Sequence, residues 1–179
     1  MTAYRLRKAT LDDQAVLRDL IARSARDLST QDYSPEQIEG ALQGAFGVDT
    51  QLIADGTYFV AVLDDVVAGC GGWSKRRTLF GSDAAIERDA SLLDPETDAA
   101  KIRAFFVDPA HARKGIGRAL LERCESDAQA HGFSRFELMA TLPGVRLYAA
   151  LGYRAGSSTH YEVRPGLTIE FVPMTKAVS

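Results

Sequence analysis

The sequence predicts an α/β fold in one domain that spans residues 1–179. Strand-like and helix-like apolar periodicities alternate along the chain, which is typical of a sheet with helices packed against it. The length of 179 residues suits one domain, and a hydrophobic fraction of 46% beside a charged fraction of 25% is ordinary for a globular protein. A chain of this length buries about 70% of its unfolded surface, so it can build a core without disulfides or metals.

The composition gives no indication of a nucleic-acid or membrane partner. The formal net charge is -3, from 21 basic and 24 acidic residues, so there is no bulk attraction for polyanions. The first residues contain no apolar stretch of signal-peptide length, and no run in the sequence is long enough to cross a bilayer. Cys70 and Cys124 lie in apolar runs without metal or disulfide spacing. We therefore expect a cytoplasmic protein without a bound metal.

The first half of the chain is predicted to hold a strand, two helices and a hairpin. Leu17, Leu20 and Ile21 recur at helical spacing, and Pro35 suits the first position of a second helix. In order, we predict a strand in YRLRKAT, a helix from about 11 to 28, a helix from Pro35 to near Gly47, a short helical turn through Ile53, and a hairpin in which TYFVAVL and VVAGCGGWSK flank Asp64 and Asp65.

The second half begins with a connection over residues 77–99 that keeps neither periodicity. Connections of this length are often functional lids or contain short helices. After it, we predict a strand in KIRAFFV, a helix from about 115 to 131, a strand in FSRFELMA, a short helix in PGVRLYAALG, and two closing strands in YRAGSSTHYEV and LTIEFVPM.

Two glycines stand where the strand AFFVDP leads into the helix of HARKGIGRALLERC. The first turn of a helix has unpaired N–H groups and the positive end of the helix dipole, which together bind phosphate. Gly115 and Gly117 allow the backbone to approach a ligand closely, and Arg113, Lys114 and Arg118 add positive charge. This pattern favours a diphosphate site over the alternative, a tight turn with solvated basic side chains.

The junction does not match the two phosphate motifs that are common in nucleotide-binding folds. A Walker A loop needs Gly-Lys followed by Ser or Thr, and the chain has no such tripeptide. The third glycine of a Rossmann fingerprint counted from Gly115 falls at Leu120, although Glu137 lies near the position of a ribose-binding acid. A Rossmann-type nucleotide enzyme is therefore the weaker reading.

The segment VDPAHARKGIGRALL resembles motif A of the GNAT (GCN5-related N-acetyltransferase) superfamily, and LPGVRLYAALGY, about thirty residues later, resembles its motif B. The order of elements is similar to that family over nearly the whole chain. The resemblance implies the GNAT acyl-CoA N-acyltransferase fold, with a mixed, mostly antiparallel central sheet and helices on both faces. It also implies acetyl-CoA as the co-substrate, and it makes a homodimer through exposed strands plausible.

The resemblance further implies where the donor would bind. The pyrophosphate would rest on backbone N–H groups of Arg113, Lys114, Gly115, Ile116, Gly117 and Arg118. The pantetheine arm would pair like a strand with Phe105, Phe106 and Val107, in a sheet opened beside FELMA by a bulge in AFFV. Ala112 stands where the family usually has Gln or Arg, and Thr141, which stands near a frequent Asn, is expected to contact the cofactor.

By the same resemblance, Tyr148 is the general acid that protonates the departing thiolate. A phenol is protonated at neutral pH, since its reference pKa is about 10. Some family members have a Glu that acts as the general base at the position that Lys101 occupies in this chain. The general base therefore stays unassigned among Glu137, His160 and the acids of residues 77–99. Both cysteines are expected in the core, which favours direct attack in a ternary complex over a ping-pong route.

The sequence says least about the acceptor. Tyr33, Trp73 and Phe80 are predicted to line its pocket, because they lie in or beside long connections. Two functions from different classes stay open beside the Rossmann reading. One is an N-acetyltransferase that acts on a primary amine, whether of a small molecule, a lysine or a peptide N-terminus. The other is a non-catalytic acyl-CoA-binding or sensing domain, which would not need Tyr148.

Overall fold

The computed structural model describes residues 3–84 and 89–178 of the chain. Its strands are β1 (Arg5–Lys8), β2 (Tyr58–Leu63), β3 (Val66–Ser74), β4 (Ala100–Val107), β5 (Arg135–Thr141), β6 (Arg154–Ala155), β7 (Thr159–Arg164) and β8 (Leu167–Ala177). Its helices are α1 (Gln14–Leu28), α2 (Pro35–Ala41), α3 (Thr50–Asp55), α4 (Ile116–Ala130) and α5 (Val145–Ala150).

The strands form one eight-stranded sheet in the order β1-β2-β3-β4-β5-β8-β6, with β7 also paired to β8. All the pairs are antiparallel except β4 with β5. One apolar core lies between the sheet and α4, and a second lies between the opposite face and the helices α1 and α2. The predicted class, a mixed and mostly antiparallel sheet with helices on both faces, is confirmed.

Several predicted boundaries are wrong by a few residues. The first helix is preceded by a 3-10 turn over Leu11–Asp13. The second helix ends at Ala41 instead of near Gly47, because the chain turns there and buries Phe46 in the core. Two strands were predicted at the end of the described chain, and the structure has three, because the two-residue strand β6 precedes the β7–β8 hairpin. The β2–β3 hairpin is confirmed, and both of its turn residues, Asp64 and Asp65, have positive φ as a tight turn requires.

The long connection between β3 and β4 is irregular in its described parts. Arg76 and Leu92 form an isolated antiparallel bridge, and the Arg76 guanidinium binds Asp55 at the end of α3 through contacts of 2.8 and 2.9 Å. Glu87, one of the acids that the sequence places in this connection, lies outside the described residues. Within the described ranges, no helix is both long and apolar enough to cross a membrane.

The packing of α4 against β3 is tightest at Gly69, and this contact generates a stability prediction. A Cβ added at Gly69 would lie 2.7 Å from Ile116 Cγ2, which belongs to the first residue of α4. Gly69→Ala is therefore expected to lower the free energy of unfolding by about 1–3 kcal/mol, measured by urea denaturation. Gly44→Ala is the control, because its Cβ would meet only the Tyr161 hydroxyl, at 3.9 Å. Equal stabilities for the two variants would contradict the prediction.

Candidate active site

The sheet opens between its two parallel strands. β4 and β5 pair only at Ala100–Phe136 and Lys101–Glu137, and beyond these residues no pairing joins them in the described chain. On the other side of β4, the register against β3 shifts by one residue between Arg103 and Phe106. Ala104 lies inside this shift with φ of +58°. The predicted bulge in AFFV and the opening beside FELMA are both confirmed.

Buried polar contacts hold the bulge. A positive φ is strained for a residue that carries a Cβ, so Ala104 needs support from its surroundings. The buried Tyr58 hydroxyl lies 3.3 Å from the Ala104 carbonyl oxygen, to which it donates, and the Cys70 Sγ lies 3.7 Å from the same oxygen. Burial raises the pKa of the Cys70 thiol to about 12, so Cys70 is a neutral donor here and not a nucleophile.

A cavity of about 680 Å³ lies beside the opened edge of β4, between α1, the N-terminus of α4 and α5. It brings together most of the residues predicted for the donor site. Those that line it are Phe105, Phe106, Val107, Arg113, Gly115, Ile116, Gly117, Arg118 and Thr141. Lys114 is not among the residues that line this cavity: it is exposed, with its Nζ 3.5 Å from His111 Nδ1. Its side chain therefore extends away from the cavity that the neighbouring arginines line.

The loop before α4 and the first turn of α4 line this cavity. Arg113 and Gly115 both have positive φ, of +62° and +82°, and Gly115 is the N-cap of α4. No described residue accepts a hydrogen bond from the N–H groups of Ile116, Gly117 or Arg118. The first turn of α4 is therefore an open set of donors at the positive end of a helix dipole, as an anion site requires.

The neighbouring elements hold this loop in place. The Asp108 side chain accepts a hydrogen bond from the Ala110 N–H at 2.9 Å and binds Arg23 of α1 at 2.8 Å. The Tyr4 hydroxyl donates to the Gly115 carbonyl oxygen at 3.3 Å. A Cβ at Gly117 would lie 3.1 Å from Leu147 Cδ2, so α5 approaches the first turn of α4 closely. The glycine is needed there for packing as well as for access to the backbone.

A second, smaller cavity of about 70 Å³ lies deeper in the split between β4 and β5. Its walls come from the loop before α3, from the connection after β3, and from β4, β5 and β8. Five residues line both cavities and therefore mark their junction: Phe46, Phe105, Phe106, Thr141 and Tyr148. The two cavities thus meet at the opened strand edge.

Tyr148 of α5 lies at this junction. It is 8% exposed, and its ring packs edge-on against Phe105 and Tyr153 with centroid distances of 6.3 and 5.9 Å. In the part of the chain that the structure describes, its hydroxyl has no hydrogen-bond partner. Burial raises the pKa of the Tyr148 phenol well above its ordinary value, with the neighbouring Cys124 as the smaller cause. The hydroxyl is thus a protonated donor left without an acceptor.

Of the three residues predicted to line an acceptor pocket, the structure places one in a cavity. Phe80 lines the smaller cavity and packs against Tyr161 and Phe171. Tyr33 is a buried structural link whose hydroxyl donates to the Glu170 carbonyl at 2.6 Å and accepts from the Leu142 N–H at 2.9 Å. These two contacts occupy its polar atom, and Tyr33 is not among the residues that line the two cavities.

Trp73 is corrected from a pocket wall to a core residue. Its side chain is fully buried on the α4 side of the sheet, where its ring packs against Phe133 and its N–H donates to Asp127 at 2.8 Å. It lies in a strand that is buried on both faces, so the sequence around it carries no period that tells which face Trp73 occupies.

None of the candidate bases that the structure describes lines the smaller cavity. Glu137 forms an ion pair with Lys101 at the closed end of the β4–β5 split, where burial lowers the pKa of Lys101. His160 is exposed on β7 and faces its strand partner Glu170. Among the described acids of the long connection, Asp83 accepts from the Thr50 N–H and Asp89 from Ser91.

Most residues that line the smaller cavity were not predicted from the sequence, and Phe46 and Arg103 show why. Phe46 follows the end of α2 in a glycine-rich turn, and no local pattern separates it from an ordinary loop residue. Arg103 carried a detectable signal, since a charge inside the apolar run IRAFFV is unusual in a buried strand. Its side chain is nearly fully buried and forms an ion pair with Asp49.

The split sheet, the open helix N-terminus and the tyrosine between two cavities together define the acetyltransferase class of the GNAT fold. The sequence profile described as the Acetyltransferase (GNAT) family matches residues 18–153, and the chain belongs to this family. Among curated proteins, none matches the sequence.

Solved structures of the same fold cover almost the whole chain. A GCN5-related N-acetyltransferase from Rhodopseudomonas palustris superposes with a TM-score of 0.74 at 22% identity, covering 99% of this chain and 98% of its own. The PaiA N-acetyltransferase from Thermoplasma acidophilum, in complex with coenzyme A, gives 0.67 at 16% identity over 98% and 99%. YncA from Salmonella typhimurium, a putative acetyltransferase with its cofactor acetyl-CoA, gives 0.65 at 17% identity over 99% and 95%.

The environment of Tyr148 predicts a late titration. Its phenol is expected to stay protonated as the pH rises through 10, because burial disfavours the phenolate. NMR of protein labelled with ¹³C at the tyrosine ζ carbon measures this, and Tyr148→Phe identifies the resonance by its loss. A Tyr148 resonance that is half titrated at or below pH 10 would contradict the inferred environment.

Proposed function

We propose that this protein transfers an acetyl group from acetyl-CoA to a primary amine, by direct attack in a ternary complex. The observation that carries the proposal is Tyr148, which lines both cavities and whose hydroxyl has no partner among the described residues. The larger cavity suits the donor, and the smaller cavity suits the amine. Tyr148, which lines both cavities, would give a proton to the sulfur that leaves.

Donor binding is supported by two backbone features. The N–H groups at the start of α4 would hold the pyrophosphate, with Arg113 and Arg118 adding charge at the cavity wall. The unpaired edge of β4 at Phe105–Val107 would bind the pantetheine arm as an added strand. PaiA and YncA, which share this fold, hold coenzyme A and acetyl-CoA in their structures. Lys114, whose side chain lies outside the cavity, would contribute only its backbone.

In the proposed reaction, the protein would hold the amine next to the thioester and supply one proton to the departing thiolate. The neutral amine attacks the thioester carbonyl, so that a C–N bond forms and the C–S bond then breaks. The Tyr148 phenol would protonate the departing thiolate and regain a proton from the amine nitrogen through solvent. The buried thiols of Cys70 and Cys124, whose pKa values are raised, are poor candidates for an acyl-enzyme step.

The acceptor would enter the smaller cavity through its amine end. The aromatic rings of Phe46, Phe80 and Phe171 form much of the wall, and none of the described lining residues is acidic or a histidine. Such a site would take the amine in its neutral form, because desolvation disfavours an ammonium ion. A small molecule, a lysine side chain and a peptide N-terminus all present such an end.

Thiol release from acetyl-CoA, measured across a panel of small amines, lysine peptides and peptide N-termini, tests the proposed function. Release that requires an amine supports the enzyme, and the identity of the best amine names the acceptor class. Tight binding of coenzyme A without release for any member of the panel would favour the alternative, a non-catalytic acyl-CoA-binding or sensing domain. NAD(P) serves as the negative control for binding.

Tyr148→Phe is expected to lower kcat by about 10²-fold or more, because general acid catalysis is lost while the ring stays in place. Acetyl-CoA affinity, measured by calorimetry, is expected to stay the same. Tyr153→Phe is the matched control, since this neighbouring buried tyrosine donates to Glu125 at 3.0 Å and lines neither cavity. Unchanged turnover of the Tyr148 variant at saturating substrates would remove its catalytic role.

A further inference from the structure

We propose that Arg103 and Asp49 are positioning residues for the amine acceptor: their buried ion pair fastens the connection after β3 at Gly81, which lines the smaller cavity. The inference rests on the proposed function, because it assigns the acceptor to that cavity. It concerns residues outside both the glycine-bearing loop before α4 and the segment that contains Tyr148. It also explains why a charged residue, Arg103, is buried in β4.

Arg103 connects three parts of the structure. Its guanidinium binds the Asp49 carboxylate and donates to the Gly81 carbonyl oxygen, and the side chains of both ionic partners are almost completely buried. Asp49 is also the N-cap of α3, where it accepts from the Gln51 N–H at 3.0 Å. The bulged strand, the start of α3 and the connection after β3 therefore meet at one charged contact.

Further hydrogen bonds fasten residues 81–83 to the loop between α2 and α3. The Ser82 N–H and hydroxyl both donate to the Gly44 carbonyl oxygen, at 2.9 and 2.7 Å. The Asp83 N–H donates to the Val48 carbonyl oxygen at 3.0 Å, and the Asp83 carboxylate accepts from the Thr50 N–H at 3.0 Å. Successive residues of this irregular segment therefore form hydrogen bonds to the loop before α3 and to the start of α3, which an ordinary exposed loop does not do.

The fastened segments are the walls of the smaller cavity. Phe46 and Gly47 line it from one side, Phe80 and Gly81 from the other, and Arg103 lines it from β4. A cavity of about 70 Å³ changes shape markedly if one wall moves by an ångström. Misplacement on that scale can lower a reaction rate about 10²-fold when it displaces a reacting group. The ion pair would therefore act on the acceptor and leave the donor cavity unaffected.

The double variant D49N/R103M tests this role. It removes both charges together, so neither is left buried without its counter-charge, and Asn keeps the cap of α3. We expect the acceptor KM to rise about tenfold or more, with the acetyl-CoA KM within about twofold of wild type. Hydrogen exchange, followed by mass spectrometry, should quicken for the amides of Ser82 and Asp83.

D55N/R76M is the matched control. Arg76 and Asp55 form an ion pair that also joins this connection to α3, with contacts of 2.8 and 2.9 Å, and neither residue lines either of the two cavities described above. We expect the control to lose stability to a similar degree and to keep the wild-type acceptor KM. A parallel rise in both double variants would overturn the proposal, since the effect would then reflect general loosening.

Gly47→Ala moves the same wall without touching either charge. Its Cβ would lie 2.9 Å from Ser82 Cβ and Oγ, so residue 82 must shift. We expect the same rise in acceptor KM, which keeps the proposal testable if the double variant fails to fold. Unchanged acceptor KM in a folded D49N/R103M or G47A protein overturns it.

Failure of the proposed function is recognised separately, in the wild-type protein, as no thiol release with any amine. In that case hydrogen exchange alone tests whether the Arg103–Asp49 ion pair fastens this segment. If the amides of Ser82 and Asp83 stay protected in D49N/R103M, that role is overturned. If their protection is lost in D49N/R103M but kept in D55N/R76M, the role is supported.

Discussion

One extra residue in β4 is the constraint on which the rest of the site depends. The bulge at Ala104 turns β4 away from β5 after two paired residues, so the parallel strands diverge at the centre of the sheet. Without it, β5 would satisfy the peptide groups of Phe105–Val107, and neither cavity could exist between the strands. A non-glycine residue at positive φ is costly by about 1–3 kcal/mol, and the contacts of Tyr58 and Cys70 with the Ala104 carbonyl oxygen keep it there.

The bulge also sets where the two halves of the site meet. The strand beyond it leads within a few residues into the Arg113–Gly115 loop, so the open strand edge and the open helix N-terminus are joined by covalent geometry. β5, the other side of the split, leads directly into α5 and Tyr148. Local strain in one strand therefore sets the open edge of β4, the first turn of α4 and Tyr148 in fixed relation, which the proposed function would use as a backbone platform, an anion site and a proton donor.

The parts of this site that the sequence reveals are those with local causes. Gly115 and Gly117 mark a helix start that must approach a ligand, and the bulge lies where the motif resemblance implies it. The smaller cavity has no such signal, because Phe46, Phe80 and Phe171 come from three distant segments and meet only through the fold. Trp73 and Tyr33 looked similar to Phe80 in type, but a single strand or loop does not show which way a side chain turns. Alternation fails for β3 in particular, since both its faces are buried.

In the proposed reaction, the same desolvation would act with opposite sign on the tyrosine and on the amine. Burial raises the pKa of the Tyr148 phenol, so the phenol keeps its proton over the whole physiological range, as the proposed general acid requires. An ammonium ion that entered the smaller cavity would meet the aromatic rings of Phe46 and Phe80, and desolvation there would lower its pKa because it disfavours the charged form. One apolar environment would therefore favour both the acid form of the tyrosine and the nucleophilic form of the amine. Such an arrangement requires a cavity wall that stays in place, and the buried contact between Arg103 and Asp49 would hold it there.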